Sequence, residues 1–298
     1  MADEREVSPR EWDLGEILAP VAKGTTRVPF ALVLLNTPIP RDHWRAFLRL
    51  WRHASFRVCA DGGANRLLDS VGTGAWSGSS DLPLPNQICG DLDSLREDVR
   101  DFFAQRGVPV VHKPSQYATD LQKSVQTVED EEAKHDAPAY PLVIFGGMSG
   151  RLDQTMHTLH VLWQLAPGAK VETMIMEPGE EGKPQPRGST LHKRARTIVV
   201  SDESITCIIP PGETYMYVDR NVLGKTCGVL PLGSGPSGAH IYTKGLEWNL
   251  NGEASSIAGF FSTSNQLAST TEGDSAKIWI KTDAPIYWTV ELKKDQYC

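Results

Sequence analysis

The 298-residue chain has little of what marks several protein classes. Its five cysteines, Cys59, Cys89, Cys207, Cys227 and Cys298, are odd in number, scattered, and never at CxxC spacing, which excludes a disulfide framework and argues against zinc or dithiol chemistry. They read as free thiols in a reducing compartment. No apolar run approaches the ~20 residues needed to span a bilayer, so no membrane partner is expected. Positive charge is scarce, with 30 Lys and Arg against 37 Asp and Glu and a net charge of -7. That balance argues against binding nucleic acid through overall charge, while leaving room for a local phosphate pocket. The opening MADEREVSPREWD has neither the apolar core of a signal peptide nor the basic character of a transit peptide, and Cys298, as the last residue, is not placed for prenylation. A cytoplasmic protein is expected. No internal repeat is visible.

The chain does contain enough apolar residues, 40% of the total, to build real cores. From residue 30, short apolar runs alternate with segments of helical period, as in a parallel sheet covered by helices. FALVLLN, FRVCA, NQICG, VPVVH, PLVIFG and TIVVS read as strands. Between them, Trp44, Phe47, Leu48 and Trp51 share one helical face, as do Leu121, Val125 and Val128, and Met156, Leu159, Leu162 and Trp163. Ser94 and Glu97 form an SxxE signature that predicts a capped helix carrying Leu95, Val99, Phe102 and Phe103. After about residue 204 the helical period disappears. ITCIIP, TYMYV, CGVLPL, AHIYT, GFFST, KIWIK and IYWTVEL are short, β-branched or aromatic, and separated by turn residues. The expected architecture is α/β plus all-β: an N-terminal extension over 1–25, an open, Rossmann-like parallel α/β sheet over 26–203 with a mobile insert near 177–196, and an antiparallel β-sandwich or barrel over 204–298.

In an open parallel sheet, ligands bind beyond the carboxyl ends of the strands. Asp61, Asp91, Asp93, Asp120 and Asp153 each follow a predicted strand at that end. Two carboxylates ~5 Å apart repel by roughly 3 kcal/mol, and four converging at ~8 Å repel by on the order of 10 kcal/mol in sum, comparable with a domain's stability. A divalent cation would remove much of that. Hard oxygen ligands favour magnesium, usually shared with phosphates. The same edge carries Gly62 and Gly63 at one helix start and Gly146, Gly147 and Gly150 at another, where backbone amides can face an anion, and Arg151 adds a fork suited to phosphate. Each glycine pair alone is an ordinary strand-to-helix turn; together with the acids they favour a phosphate site.

Competing motifs fail on spacing. GKT at 224–226 has Asp219 where a P-loop needs glycine, and GGMSGRLD lacks GxGxxG spacing. His157 and His160 have no third ligand candidate. The DxD of Asp91 and Asp93, taken alone, also fits a sugar-nucleotide transferase.

CADGGANRL (59–67), GDLDS (90–94), QYATD (116–120), FGGMSGRLDQ (145–154), KGLEWNL (244–250) and FSTSN (261–265) occur in an order that resembles the thiamine pyrophosphokinases of the eukaryotic and fungal kind. The resemblance implies transfer of the pyrophosphoryl group of ATP to the hydroxyl of thiamine, giving thiamine diphosphate and AMP. It implies a homodimer with an α/β nucleotide domain, a β-rich domain, and thiamine where two subunits meet. By that similarity Asp91, Asp93 and Asp120 hold magnesium and the polyphosphate, with Asp61 nearby. Gly62, Gly63, Thr119 and Gly147 belong to the ATP site, and Gln116, Arg151 and Asp153 position ATP phosphates or the thiamine end. Trp248, Ser262, Thr263, Ser264 and Asn265 form the thiamine pocket, although a tryptophan considered alone is more often a core residue. An indole face suits the permanent cation of thiamine. Asp120 and Asp61 are both candidates to accept the hydroxyl proton. SQYATD lacks an acid that family members often carry ahead of TD, and the loops at 72–81 and 177–196 are longer than a minimal member requires.

Overall fold

The computed structural model describes residues 9–18, 28–76, 82–135, 138–170, 176–178, 184–186, 191–269 and 274–294. The chain divides into two compact units. The first strand and helix, β1 (Arg10–Asp13) and α1 (Gly15–Leu18), group with residues 203–293.

Residues 28–202 form the α/β unit, in chain order β2 (Ala31–Leu34), α2 (Trp44–His53), β3 (Phe56–Ala60), α3 (Gly63–Val71), β4 (Gln87–Gly90), α4 (Glu97–Ala104), β5 (Val110–His112), α5 (Asp120–Lys134), β6 (Leu142–Phe145), α6 (Leu152–Leu165), β7 (Met176–Pro178), β8 (Pro184–Pro186) and β9 (Thr197–Val200). Its sheet runs β9-β6-β2-β3-β4-β5 with every pairing parallel. The strands β2, β3, β6 and β9 are buried along their whole length, as expected when helices cover both faces. The chain leaves β2 in one direction through β3, β4 and β5, then returns to β6 on the other side. The order therefore reverses beside β2, and the carboxyl ends of β2 and β6 open a crevice there.

Two local expectations are corrected. The helix α4 begins at Glu97 behind Arg96, with no side-chain cap, so Ser94 and Glu97 make no capping box. A capping box forms instead at α5, where Thr119 accepts from the Gln122 amide and Gln122 accepts from the Thr119 amide. On α6 the buried residues are Thr158, Val161, Leu162 and Leu165, while Met156 is exposed. The faces of α2 and α5 are as expected, with Phe47, Trp51, Leu121, Val125 and Val128 buried. In the segment expected to be a mobile insert, β7 and β8 pair antiparallel.

The remaining strands are β10 (Ser204–Ile209), β11 (Gly212–Asp219), β12 (Leu223–Leu230), β13 (Ala239–Lys244), β14 (Asn251–Ser255), β15 (Ser262–Gln266), β16 (Ser275–Thr282) and β17 (Ile286–Leu292). They make two ladders in the β-rich unit, β15-β12-β17-β10 and β1-β11-β16-β13-β14. Alternation along β11, β13 and β16 buries Thr214, Met216, Val218, Ile241, Ile278 and Ile280 on one face. Among the named strands of the described residues, the expected all-antiparallel pattern is broken once. Strand β1 pairs parallel with β11, placing part of the expected N-terminal extension in this sheet.

Candidate active site

Three carboxylates meet because three strand ends lie side by side. Asp61 follows β3 and takes a left-handed backbone, φ 44°, with its amide bonded to the Cys89 carbonyl at 2.9 Å. Its side chain is buried, 3% exposed; Oδ2 accepts from the Ser94 amide at 3.1 Å, and Oδ1 has no hydrogen-bond partner. Burial, with Asp120 adding to it, raises the Asp61 pKa above the ordinary carboxylate value. Asp91 follows β4 and donates its amide to Asp120 Oδ1 at 3.2 Å. Asp120 is the first residue of α5. One oxygen from each of Asp61, Asp91 and Asp120 lies within 4.8 Å of the others. At that spacing each ionised pair repels by roughly 3 kcal/mol. Lys123, one turn further along α5, offsets part of it with Nζ 3.2 Å from Asp120 Oδ1 and 3.7 Å from Asp91 Oδ2.

Asp93 stands outside this group. It is exposed, donates its amide to Asp91 Oδ1 at 3.4 Å, and accepts from Ser94 Oγ at 3.0 Å. Between the two aspartates Leu92 holds φ 65°, a conformation costing a branched side chain about 1 kcal/mol or more. Ser94 thus spends its amide on Asp61 and its hydroxyl on Asp93, which is why it does not cap α4.

The group faces a cleft of about 740 Å³, whose other walls include Thr37, Gln116, Thr119, Gly147, Arg151 and His157. Gly62 and Gly63 do not line it. A Cβ on Gly63 would lie 2.3 Å from the Leu34 carbonyl, so that glycine permits close packing of α3 on β2. The Gly147 amide is already taken by Thr37 Oγ1 at 3.1 Å, while the Gly147 carbonyl accepts from Thr158 Oγ1 at 2.8 Å. Arg151 and Asp153 form an exposed ion pair, Nε to Oδ1 3.0 Å, which raises the arginine pKa and lowers that of the aspartate. Only Arg151 of the two lines the cleft. Gln116 is exposed, its Nε2 donating to the Pro114 carbonyl at 3.3 Å. His157 was not expected here. Its Nε2 shares a 2.7 Å hydrogen bond with Thr119 Oγ1, and burial, followed by His160, lowers its pKa and favours a neutral ring. Its sequence position beside an apolar face gave no signal of this.

In the β-rich unit the indole of Trp248 is 58% exposed, so it is not a core residue. Asn265 is buried and holds the Trp248 backbone at both ends, accepting from its amide at 3.2 Å and donating to its carbonyl at 2.7 Å. A further bond joins Asn265 Nδ2 to Ser262 Oγ at 3.3 Å. The Asn265 side chain is therefore committed to shaping the loop. Ser262, Thr263 and Ser264 lie on the same strand, with Thr263 and Ser264 exposed.

Residues 47–175 match the profile of the thiamin pyrophosphokinase catalytic domain, and residues 213–287 match that of the vitamin B1 binding domain of the same family. Together they cover more than half of the chain. The chain belongs to the thiamin pyrophosphokinase family. Curated relatives include thiamine pyrophosphokinase 3 of Oryza sativa subsp. japonica, 30% identical over 89% of this chain and 87% of its own length. The thiamine pyrophosphokinase of Saccharomyces cerevisiae is 27% identical over 89% of this chain and 86% of its own. Among solved structures, thiamin pyrophosphokinase from Candida albicans superposes with a TM-score of 0.71 at 19% identity, covering 96% of this chain and 94% of that one. The yeast enzyme gives 0.68 at 24% identity over 95% and 91%. Both show the same fold. The thiamin pyrophosphokinase membership makes the chain an enzyme of pyrophosphoryl transfer that forms thiamine diphosphate. The acid group falls in the catalytic match, and Trp248 with residues 262–265 falls in the vitamin-binding match. Among the described residues no helix is long and apolar enough to cross a membrane.

Proposed function

We propose that the chain transfers the pyrophosphoryl group of ATP to the hydroxyl of thiamine, with magnesium held at Asp61, Asp91 and Asp120. The observation that carries this reading is the convergence of those carboxylates within 4.8 Å at a cleft. The donor set fits a hard divalent cation: all oxygens, one of them, Asp61 Oδ1, buried without a partner. Magnesium bound there would neutralise polyphosphate charge. In the reaction the thiamine hydroxyl oxygen bonds to the β-phosphorus and gives up its proton, to Asp120 or Asp61, while the bond from that phosphorus to the α,β-bridging oxygen breaks and AMP leaves with the electron pair. Such transfer depends on in-line positioning and charge neutralisation more than on a strong base. Arg151 at the cleft wall serves the phosphates, with Gln116 and Thr119 beside it. Asp93, exposed and outside the three-acid group but bonded through its amide to Asp91, is a fourth acid available to the nucleotide-bound metal.

The test is product analysis after incubation with ATP, magnesium and thiamine. Thiamine diphosphate and AMP in equal amounts are expected; ADP with thiamine monophosphate, or no thiamine product, overturns the reading.

Thiamine is assigned to Trp248, Ser262, Thr263 and Ser264, with Asn265 fixing the loop, in a homodimer whose pocket is shared between subunits. An open indole face attracts the thiazolium by about 1 to 2 kcal/mol when desolvated. Trp248→Ala is therefore expected to raise KM for thiamine about tenfold, with KM for ATP little changed. In mixed dimers of Trp248→Ala and an inactive acid-group variant, activity at low thiamine should exceed that of either parent. An unchanged thiamine KM removes the pocket assignment, and failure of the mixed dimers to gain activity removes the sharing.

A further inference from the structure

Lys123 sits where helix electrostatics disfavour a cation, in the first turns of α5 where the helix dipole presents positive charge. It is also 96% buried by side chain, with 4% exposed, and lysine is almost never so buried unless paired. Its partners are the two acids themselves. Nζ lies 3.2 Å from Asp120 Oδ1 and 3.7 Å from Asp91 Oδ2, and the i,i+3 spacing puts ammonium and Asp120 carboxylate on one face of α5. The backbone beneath it is held as well: the Lys123 carbonyl accepts from Thr127 Oγ1 at 2.9 Å and from Lys113 Nζ at 3.2 Å. Three carboxylates and one ammonium have a formal sum of -2, the charge that one divalent cation balances.

We propose that Lys123 is a positioning residue, the resident counter-charge that holds Asp91 and Asp120 together before metal binds and sets the affinity of the group for metal and polyphosphate. This rests on the reading of the cleft as the metal–nucleotide site. The consequence has opposite signs for the two ligands. Without the ammonium, a free cation meets a more negative group and binds more tightly. The polyphosphate meets the same extra negative charge and binds less well. A lysine that merely supports the fold would weaken both together when lost.

The measurement is Mn2+ binding to the nucleotide-free protein by electron paramagnetic resonance, alongside steady-state kinetics. Lys123→Met and Lys123→Gln should bind Mn2+ about tenfold more tightly than wild type, and Lys123→Arg like wild type. Both neutral variants should show KM for magnesium–ATP raised about tenfold, with KM for thiamine unchanged and partial recovery in Lys123→Arg. Unchanged or weaker Mn2+ binding in the neutral variants overturns the proposal. Should those variants fail to fold, the wild type still decides: the Lys123 ammonium resonance in 15N-lysine-labelled protein is expected to shift on Mg2+ addition, and an unmoved signal overturns the proposal. Absence of AMP and thiamine diphosphate formation by wild type would instead overturn the functional reading, independently of the Mn2+ result.

Discussion

Asp120→Asn is expected to lower turnover at saturating ATP, magnesium and thiamine by on the order of 10³ while leaving the fold intact. Asp120 is the acid through which the others are joined. Its Oδ1 accepts from the Asp91 amide and from Lys123 Nζ, and its charge is one cause of the raised Asp61 pKa. Asparagine keeps the shape but removes the charge, so the group loses a hard anionic ligand and Lys123 is left with Asp91 alone. The fold should tolerate this because the start of α5 depends on other side chains: Thr119 and Gln122 satisfy the first amides through their capping box. What α5 loses is the favourable placement of a carboxylate at its N-terminus, about 0.5 kcal/mol. AMP release measures the activity, and circular dichroism with thermal melting measures the fold. Turnover within tenfold of wild type in a natively folded variant would remove Asp120 from the machinery.

Much of the α/β unit was legible because the strands β2, β3, β6 and β9 are buried on both faces and therefore read as continuous apolar runs. Once those strands are parallel, the residues after each of them must share one edge, so the meeting of Asp61, Asp91 and Asp120 follows from strand order and sequence position. The finer placement does not. Whether Asp93 turns inward depends on the Asp91–Leu92–Asp93 turn, where Leu92 adopts a left-handed conformation that its side chain does not advertise. The SxxE pattern at Ser94 predicts a cap on local grounds, yet the Ser94 amide is drawn to Asp61, and Arg96 is fixed by Asp69 and by its own amide donating to Asn65. Tertiary bonds overrode local preference. On α6 two apolar stripes exist, and periodicity does not say which one faces the sheet; Val161 and Leu165 do, while Leu152 is 74% exposed. Strands β1 and β14 lack a run of apolar alternation, so pairing with β11 and β13 was invisible in sequence. The role of Lys123 was hidden for the same reason as that of His157: a single side chain acquires its partners only when two distant segments meet.

Gly90→Ala is expected to lower turnover about a hundredfold through a single methyl group placed between two of the acids. Gly90 is the last residue of β4, in register with His112, and its carbonyl accepts from the Lys113 amide at 2.7 Å, so its backbone is held on the β5 side. A Cβ built there would lie 2.9 Å from Asp120 Oδ1 and 2.9 Å from Asp61 Cβ, closer than real Cβ contacts come. The Asp120 carboxylate can swing aside, but Asp61 Cβ is fixed by a backbone whose amide bonds to Cys89. Relief therefore moves Asp120, and Asp120 is the acid on which Asp91 and Lys123 depend. Overpacking of this kind costs about 1 to 3 kcal/mol in stability, small enough to leave the protein folded. Displacing a ligand group by about 1 Å is enough for a hundredfold loss in rate. Gly74→Ala supplies the control, since a Cβ there meets nothing within 4 Å. The two variants should separate by kcat, with Mn2+ binding weakened in Gly90→Ala alone. Wild-type turnover and Mn2+ affinity in Gly90→Ala would mean that the close approach of Asp61 to Asp120 is incidental to catalysis.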